Sequence, residues 1–338
     1  MPAVLAQYAE GIAAAIITAH AQQRAATMHY AADAFADTSE LAINRSLAAY
    51  NANPEVQPKL APHEAHKALD STVKMLQFVG DDGKMIGCIN WFGIHTTSLS
   101  NDNTLVSADN KGFAADYLEA YLCQKYQTEV IAAFAQDTAG DITPNYVWDS
   151  QKKWMRGKFA NDADSARHNG QLQFAQAKKI IDEIPFLPIG EAASAQKTLA
   201  YTAHYIDFSQ LTVAPQFAPE GATDKRTAPS ALGIAMLGGT AEGPGAPAWL
   251  CRLTPAVSRV LRWWELRQHP KESAAHAAAT QKYAAQSPKS IVLEMQARRL
   301  LLSAAPRRVI IPAWADLHVS RMKEIDAKGL AEVFLASV

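Results

Sequence analysis

Three polar side chains stand where this chain's apolar runs stop. The run Met85 to Ile94 ends on His95, and a polar segment rich in Thr, Ser, Asn and Asp follows as far as Asn110-Lys-Gly112. A second apolar run, Thr128 to Ala135, leads into Gln136-Asp-Thr-Ala-Gly140-Asp141-Ile-Thr143-Pro144-Asn145. An imidazole at a strand end suits metal ligation or proton transfer, because its charge changes near neutral pH. The plainer alternative is that His95 caps a strand and bonds to nearby backbone, and local pattern leaves both open. Gly140 permits a tight turn, and Pro144 keeps Thr143 out of helical conformation, so Asp141 and Thr143 sit on a stiff loop. Functional groups of α/β proteins collect where strands end and loops begin, so the two loops are expected to meet over one pocket.

The elements that must position these residues follow from periodicity. Val73 to Val79 alternates, Asp81-Asp-Gly-Lys84 makes a turn, and Met85 to Ile94 resumes apolar character, so a β-hairpin delivers His95. Phe113 to Tyr126 reads as a helix, and Thr128 to Ala135 as a buried strand after it. Residues 3–24 carry Val4, Tyr8, Ile12, Ile16 and Ala19 at helical spacing, the pattern of a packing helix. A looser segment is expected from there through Asn53-Pro54. Residues 165–184 read as helix, and Leu199 to Phe208 as a strand containing His204, whose lone imidazole suits packing more than ligation. Leu237-Gly-Gly-Thr-Ala-Glu242-Gly-Pro-Gly245 lacks phosphate-loop spacing, so its glycines are expected to let backbone approach closely, with Glu242 as an acidic or hydrogen-bonding group. Trp263-Trp264 falls in a helical stretch with at most one ring facing a core. His269 to His276 reads as a solvated polar face. Ser290 to Met295 and Arg308 to Pro312 are strand-like, Asp316 to Lys328 helical, and Ala331 to Val338 another strand. Together these predict an α/β fold: a mixed β-sheet with surrounding helices and the site on strand-end loops.

Composition bounds the function. The 338 residues are 49% hydrophobic and 19% charged, with net charge -1, enough for one large core or two domains. Near-neutral charge offers no basic footprint for nucleic acid. No run approaches the ~18 apolar residues of a membrane span, and no basic n-region of a signal peptide precedes Arg24. Cys88, Cys123 and Cys251 are far apart and show neither metal spacing nor a disulfide framework.

Asn90-Trp-Phe-Gly-Ile-His95-Thr-Thr-Ser98 and Ser107-Ala-Asp-Asn-Lys-Gly112 resemble the Asn-Trp-Phe-Ala-Val-His and Ser-Gly-Asp-Asn-Lys-Gly motifs of the neutral (alkaline, non-lysosomal) ceramidase family. Asn44-Arg45-Ser46 with Asn53-Pro54, Gly140-Asp-Ile-Thr-Pro-Asn145, and Ala228-Pro-Ser-Ala-Leu-Gly233 through Gly239-Thr-Ala-Glu-Gly-Pro-Gly245 are similar to further family blocks, in the same order. The resemblance implies zinc-dependent hydrolysis of the amide bond of ceramide to sphingosine and fatty acid. An amide is a poor electrophile, and zinc polarises its carbonyl while lowering the pKa of bound water to about 7. His95 falls on a zinc ligand of the family, and Arg45 on the arginine suited to a developing oxyanion. Thr143 stands at the family's essential serine, and Asp141 and Asn145 flank it as substrate-binding candidates.

Three departures qualify the resemblance. Thr143 keeps the hydroxyl but adds a stiff β-branched methyl group. The family's Thr-His-Thr-His-Ser-Gly-Pro block, which supplies another zinc histidine, has no counterpart here, and neither has the Pro-Gly-Glu that supplies a zinc glutamate. A catalytic zinc normally needs three protein ligands, and only His95 is matched. Residues 1–338 are therefore expected to be a partial ceramidase-like catalytic domain, without the N-terminal zinc-histidine segment or the C-terminal β-sandwich, and a poor catalyst alone. The alternatives are a catalytically impaired relative that binds lipid or pairs with a complementary chain, and an amidase for another N-acyl substrate. The expected partner is a ceramide-like lipid. The family is usually secreted or membrane-facing, and nothing in this chain specifies a compartment.

Overall fold

A computed structural model describes residues 2–53, 55–188, 211–215, 225–229, 231–233, 235–240, 242–286 and 290–294. The expected strand around His204, the strand-like Arg308 to Pro312, the helix Asp316 to Lys328 and the strand Ala331 to Val338 all lie outside those residues.

The predicted hairpin is the middle of the fold. The first three strands of the main sheet are β1 (Ala26–Ala34), β3 (Thr72–Gly80) and β4 (Met85–Phe92), with β2 (Ile43–Asn44) set apart from them. Strand β3 pairs antiparallel with both β1 and β4, with Met75 opposite Asn90 and Ala31 opposite Met75. Asp82 closes the turn between β3 and β4 by accepting from the Lys84 N–H at 3.1 Å.

From β4 the chain passes through α2 (Asp109–Tyr126) into β5 (Ile131–Gln136), which runs parallel to β4. (Helix α1 is the N-terminal Pro2–Ala21.) A parallel neighbour requires such a crossover, and the helix supplies it. Helix α3 (Asp162–Glu183) and the short strand β7 (Leu187–Pro188) complete the unit, giving sheet order β5-β4-β3-β1-β7. Between β5 and α3, the two-residue β6 (Ile142–Thr143) pairs with β2. The mixed α/β architecture expected from periodicity is present.

One face of the sheet packs on α2 and α3. Val73, Met75, Met85 and Phe92 meet Leu118 and Leu122 of α2 and Ala177 and Ile180 of α3 in a single buried cluster. Leu118 is fully buried, so Leu118→Ala is expected to cost about 2–5 kcal/mol through lost burial and the cavity left behind.

Some boundaries differ from the sequence expectation. The looser segment after residue 24 contains β1, nine residues long. Strand β5 is an edge strand, and Ile131 is 56% exposed. The N-terminal helix forms over Pro2–Ala21, yet Leu5, Ile12, Ile16 and Ile17 on it are exposed rather than packed. Both Trp263 and Trp264, on α4 (Ala248–Gln268), face outward. His269 lies just beyond α4, and His276 is on α5 (Ala274–Ala285) with Nδ1 3.0 Å from the Leu266 carbonyl. Among the described residues no helix is long and apolar enough to cross a membrane.

Candidate functional site

Strand β4 stops at Phe92, and three residues later His95 turns against the loop that follows β5. The Ile142 carbonyl receives both the His95 backbone N–H, at 3.1 Å, and the ring Nδ1, at 2.8 Å. A carbonyl oxygen can only accept, so Nδ1 carries the proton and Nε2 keeps its lone pair. Burial, and then the charge of Arg45, push the imidazole pKa below its ordinary value. Both effects favour a neutral ring. The two strand-end loops meet as the sequence suggested.

Arg45 is the hub of the cluster. It follows β2, whose pairing sets Ile43 opposite Thr143 and Asn44 opposite Ile142. Its backbone N–H donates to the Asp141 carbonyl at 2.8 Å, which fixes the start of the side chain. Its guanidinium then reaches three partners: His95 Nε2 at 3.3 Å, the Gly140 carbonyl at 3.1 Å, and the Glu242 carboxylate at 3.5 Å. Arginine's fork of donors suits this, since a lysine ammonium cannot present separated N–H groups in one plane.

Glu242 arrives from 197 residues downstream. Burial works against its ionisation, but hydrogen bonds from Thr143 and Thr240 and the charge of Arg45 outweigh it, holding the carboxyl below its usual pKa. Its loop is closed by tight backbone contact. A Cβ on Gly245 would stand 2.2 Å from the Leu237 carbonyl oxygen, so the expected role of that glycine is met.

Thr143 is fully buried. Its hydroxyl accepts the Asn145 backbone N–H at 3.1 Å and contributes to holding the Glu242 carboxyl below its usual pKa. Asn145 is 3% exposed, and its amide donates to the Thr97 carbonyl at 2.7 Å. Asp141 accepts from Asn44 Nδ2 at 2.7 Å through one oxygen, while the other is buried with no partner among the described residues. Burial raises the Asp141 pKa, against the Asn44 hydrogen bond that lowers it. His95, Arg45, Thr143, Asp141 and Asn145 therefore share one cluster. Glu242 joins them, and Asn44, Asn110 and Gln173 support them; Asn44 and Asn110 were marked in the sequence only as members of family-like motifs, and Gln173 carried no signal beyond being an amide.

The donor chemistry at His95 fits zinc: a neutral imidazole whose other nitrogen is tied to a backbone carbonyl offers Nε2 in a fixed direction. The number of donors does not. Among the described residues no group of three His, Cys, Asp or Glu side chains could hold a metal ion. His204 lies outside the described residues.

Fold and site define an α/β protein with a buried polar cluster at the ends of its sheet strands. The neutral/alkaline non-lysosomal ceramidase N-terminal family matches residues 2–313, and the chain belongs to that family. It is 30% identical to the neutral ceramidase of Pseudomonas aeruginosa over 237 residues, covering 70% of this chain and 32% of that protein. It is 31% identical to the neutral ceramidase of Mycobacterium tuberculosis over 291 residues, covering 80% of this chain and 41% of that protein. The crystal structure of the Pseudomonas aeruginosa neutral ceramidase superposes with a TM-score of 0.50 at 27% identity, over 73% of this chain and 36% of that one. The chain thus spans about a third to two fifths of the length of these relatives.

Proposed function

We propose that this chain carries part of a site that hydrolyses the amide bond of a ceramide-like N-acyl lipid. The observation that supports it most is the meeting of Arg45, His95 and Glu242 in a half-buried cluster, on a chain whose relatives bear the name neutral ceramidase. In this reading His95 offers Nε2 to a zinc ion whose other ligands come from outside the described residues. Bound there, such an ion would supply polarisation of an amide carbonyl and activation of water at neutral pH.

The residues in hand have defined tasks. Arg45 directs N–H groups at the oxygen that gains charge as the carbonyl becomes tetrahedral. Glu242 holds the guanidinium from its other side. Thr143 ties Glu242 to the β6 loop and fixes the turn to Asn145. Buried Asp141 and Asn145 shape the floor on which the acyl amide rests.

A second reading, a lipid-binding relative without turnover, is favoured by the short count of metal donors among the described residues. Fatty-acid release from a fluorescent ceramide by the purified protein separates the two. Release that is lost in Arg45→Met supports hydrolysis. Ceramide binding with no release overturns it and supports the second reading.

A further inference from the structure

Helix α3 buries three amides, Asn169, Gln173 and Gln176, where an amphipathic helix would ordinarily place apolar residues. Burying an amide costs free energy unless it is hydrogen-bonded, and apolar side chains would pack there without that cost. Two of the three belong to one connected row. Asn169 Nδ2 donates to the Leu41 carbonyl at 2.7 Å. Gln173 Nε2 donates to Asn169 Oδ1 at 2.9 Å and to Asn110 Oδ1 at 3.1 Å. Asn110 Nδ2 then donates to the His95 carbonyl at 3.0 Å and to Ser98 Oγ at 3.0 Å. Asn169, Gln173 and Asn110 are 3%, 1% and 0% exposed.

The two ends of this row are what give it meaning. Leu41 lies four residues before Arg45, and the other end is His95 itself. We propose that Gln173 is a positioning residue: through Asn169 and Asn110 it sets the spacing between the Arg45 loop and His95. Its amide can act in only one orientation, because a flip would put its oxygen against two acceptor oxygens. That fixes Asn110 in turn, with its nitrogen toward His95. Helix α3 reaches the row because residue 170 is glycine: a Cβ there would lie 2.6 Å from Phe113 Cβ and 2.8 Å from the Asn110 carbonyl oxygen. Asp109, at φ 54, bends the chain so that Asn110 faces inward, and its carboxylate accepts from the N–H groups of Ser98 at 3.1 Å and Leu99 at 2.8 Å.

This inference rests on the reading of Arg45 and His95 as the functional pair, so its first readout does not involve turnover. The side-chain nitrogen resonances of His95 are followed by NMR in histidine-labelled protein and assigned by their loss in His95→Gln. Gln173→Leu is expected to shift or broaden them. Gln176→Leu, a change in the same helix that breaks bonds to Asp33 Oδ2 at 2.8 Å and to the Ala34 carbonyl at 3.4 Å on β1, away from the row, is expected to leave them in place. If Gln173→Leu does not fold, Asn110→Asp serves instead, since it sets an oxygen against the His95 carbonyl at unchanged volume. In a turnover assay Gln173→Leu is expected to lower kcat roughly 10-fold or more with KM little changed, because misplaced groups cost rate before affinity. His95 resonances unmoved in Gln173→Leu and Asn110→Asp, or moved equally in Gln176→Leu, overturn the proposal. A wild-type protein that releases no fatty acid overturns the functional reading instead, and the NMR comparison still decides the amide row.

Discussion

His95 and Arg45 face each other at 3.3 Å, Nε2 to Nη2, while the Ile142 carbonyl holds the far side of the imidazole at 2.8 Å. The neutral ring keeps a lone pair on the side where the guanidinium stands. Any electrophile that takes that lone pair must displace the hydrogen bond from Arg45, which frees an arginine N–H for an oxygen close by. Binding at His95 and donation by Arg45 are therefore linked through one nitrogen.

Arg45 is expected to be intolerant even of lysine. Lysine keeps the charge but cannot span Gly140, Glu242 and His95 together. Arg45→Lys and Arg45→Met should both lower kcat for fatty-acid release by roughly 10²–10³-fold, the usual cost of losing an oxyanion donor. Unchanged kcat in Arg45→Lys would remove the planar fork from the account.

Thr143 offers a sharper comparison. Thr143→Val loses the acceptor for the Asn145 N–H in a fully buried place, and is expected to cost about 1–3 kcal/mol of stability by thermal denaturation. Thr143→Ser keeps the hydroxyl that accepts from Asn145 and removes one buried methyl group, so about 1 kcal/mol is expected. Its hydroxyl is freer to rotate, and its turnover is expected to rise. A drop in rate with Thr143→Ser would show that the threonine is adapted to this site.

Lys111 gives a pH signature. Its ammonium donates to the Phe92 carbonyl at 2.9 Å and the Ala135 carbonyl at 3.1 Å, tying the ends of β4 and β5 just before the two site loops. Burial lowers its pKa from 10.5 to about 7, with the charge of Asp137 opposing. Between about pH 7 and 10.5 the unfolded chain holds a proton that the folded chain has released, so the lysine's contribution to stability rises with pH across that window. Denaturant midpoints of wild type and Lys111→Met should therefore separate in favour of wild type from pH 7 to 10. A difference that does not change with pH would show that the two carbonyls keep the lysine charged.

Most of the sheet was legible in the sequence, because the hairpin of β3 and β4 combines alternation with a turn rich in Asp and Gly. Strand β1 was not. Ala26-Thr-Met-His-Tyr-Ala-Ala-Asp-Ala34 is alanine-rich and carries little alternation, and its strand conformation comes from pairing along all nine residues of β3. Strand β5 read as buried because an apolar run does not reveal that one of its sides has no neighbour. The apolar spacing of α1 predicted packing, yet its large side chains are exposed.

The site was half legible. His95 and the Gly140 to Asn145 loop were marked by polar groups at the ends of apolar runs. Glu242 stood out only as an acid among glycines, and nothing local tells that its loop returns to Arg45. Asn110 was marked only as part of a motif with no role attached, and Gln173 left no trace, because a buried amide in a helix looks like a solvated one until the neighbouring chain is placed.

The most direct measurement is a zinc titration of the purified 338-residue chain, run beside His95→Ala with circular dichroism to confirm the fold. With so few donors matched among the described residues, the account predicts only residual zinc binding, and that it disappears in His95→Ala at unchanged helix and sheet content. Equal zinc stoichiometry in the two proteins, or none in either, would contradict the assignment of His95 as a metal ligand of this chain.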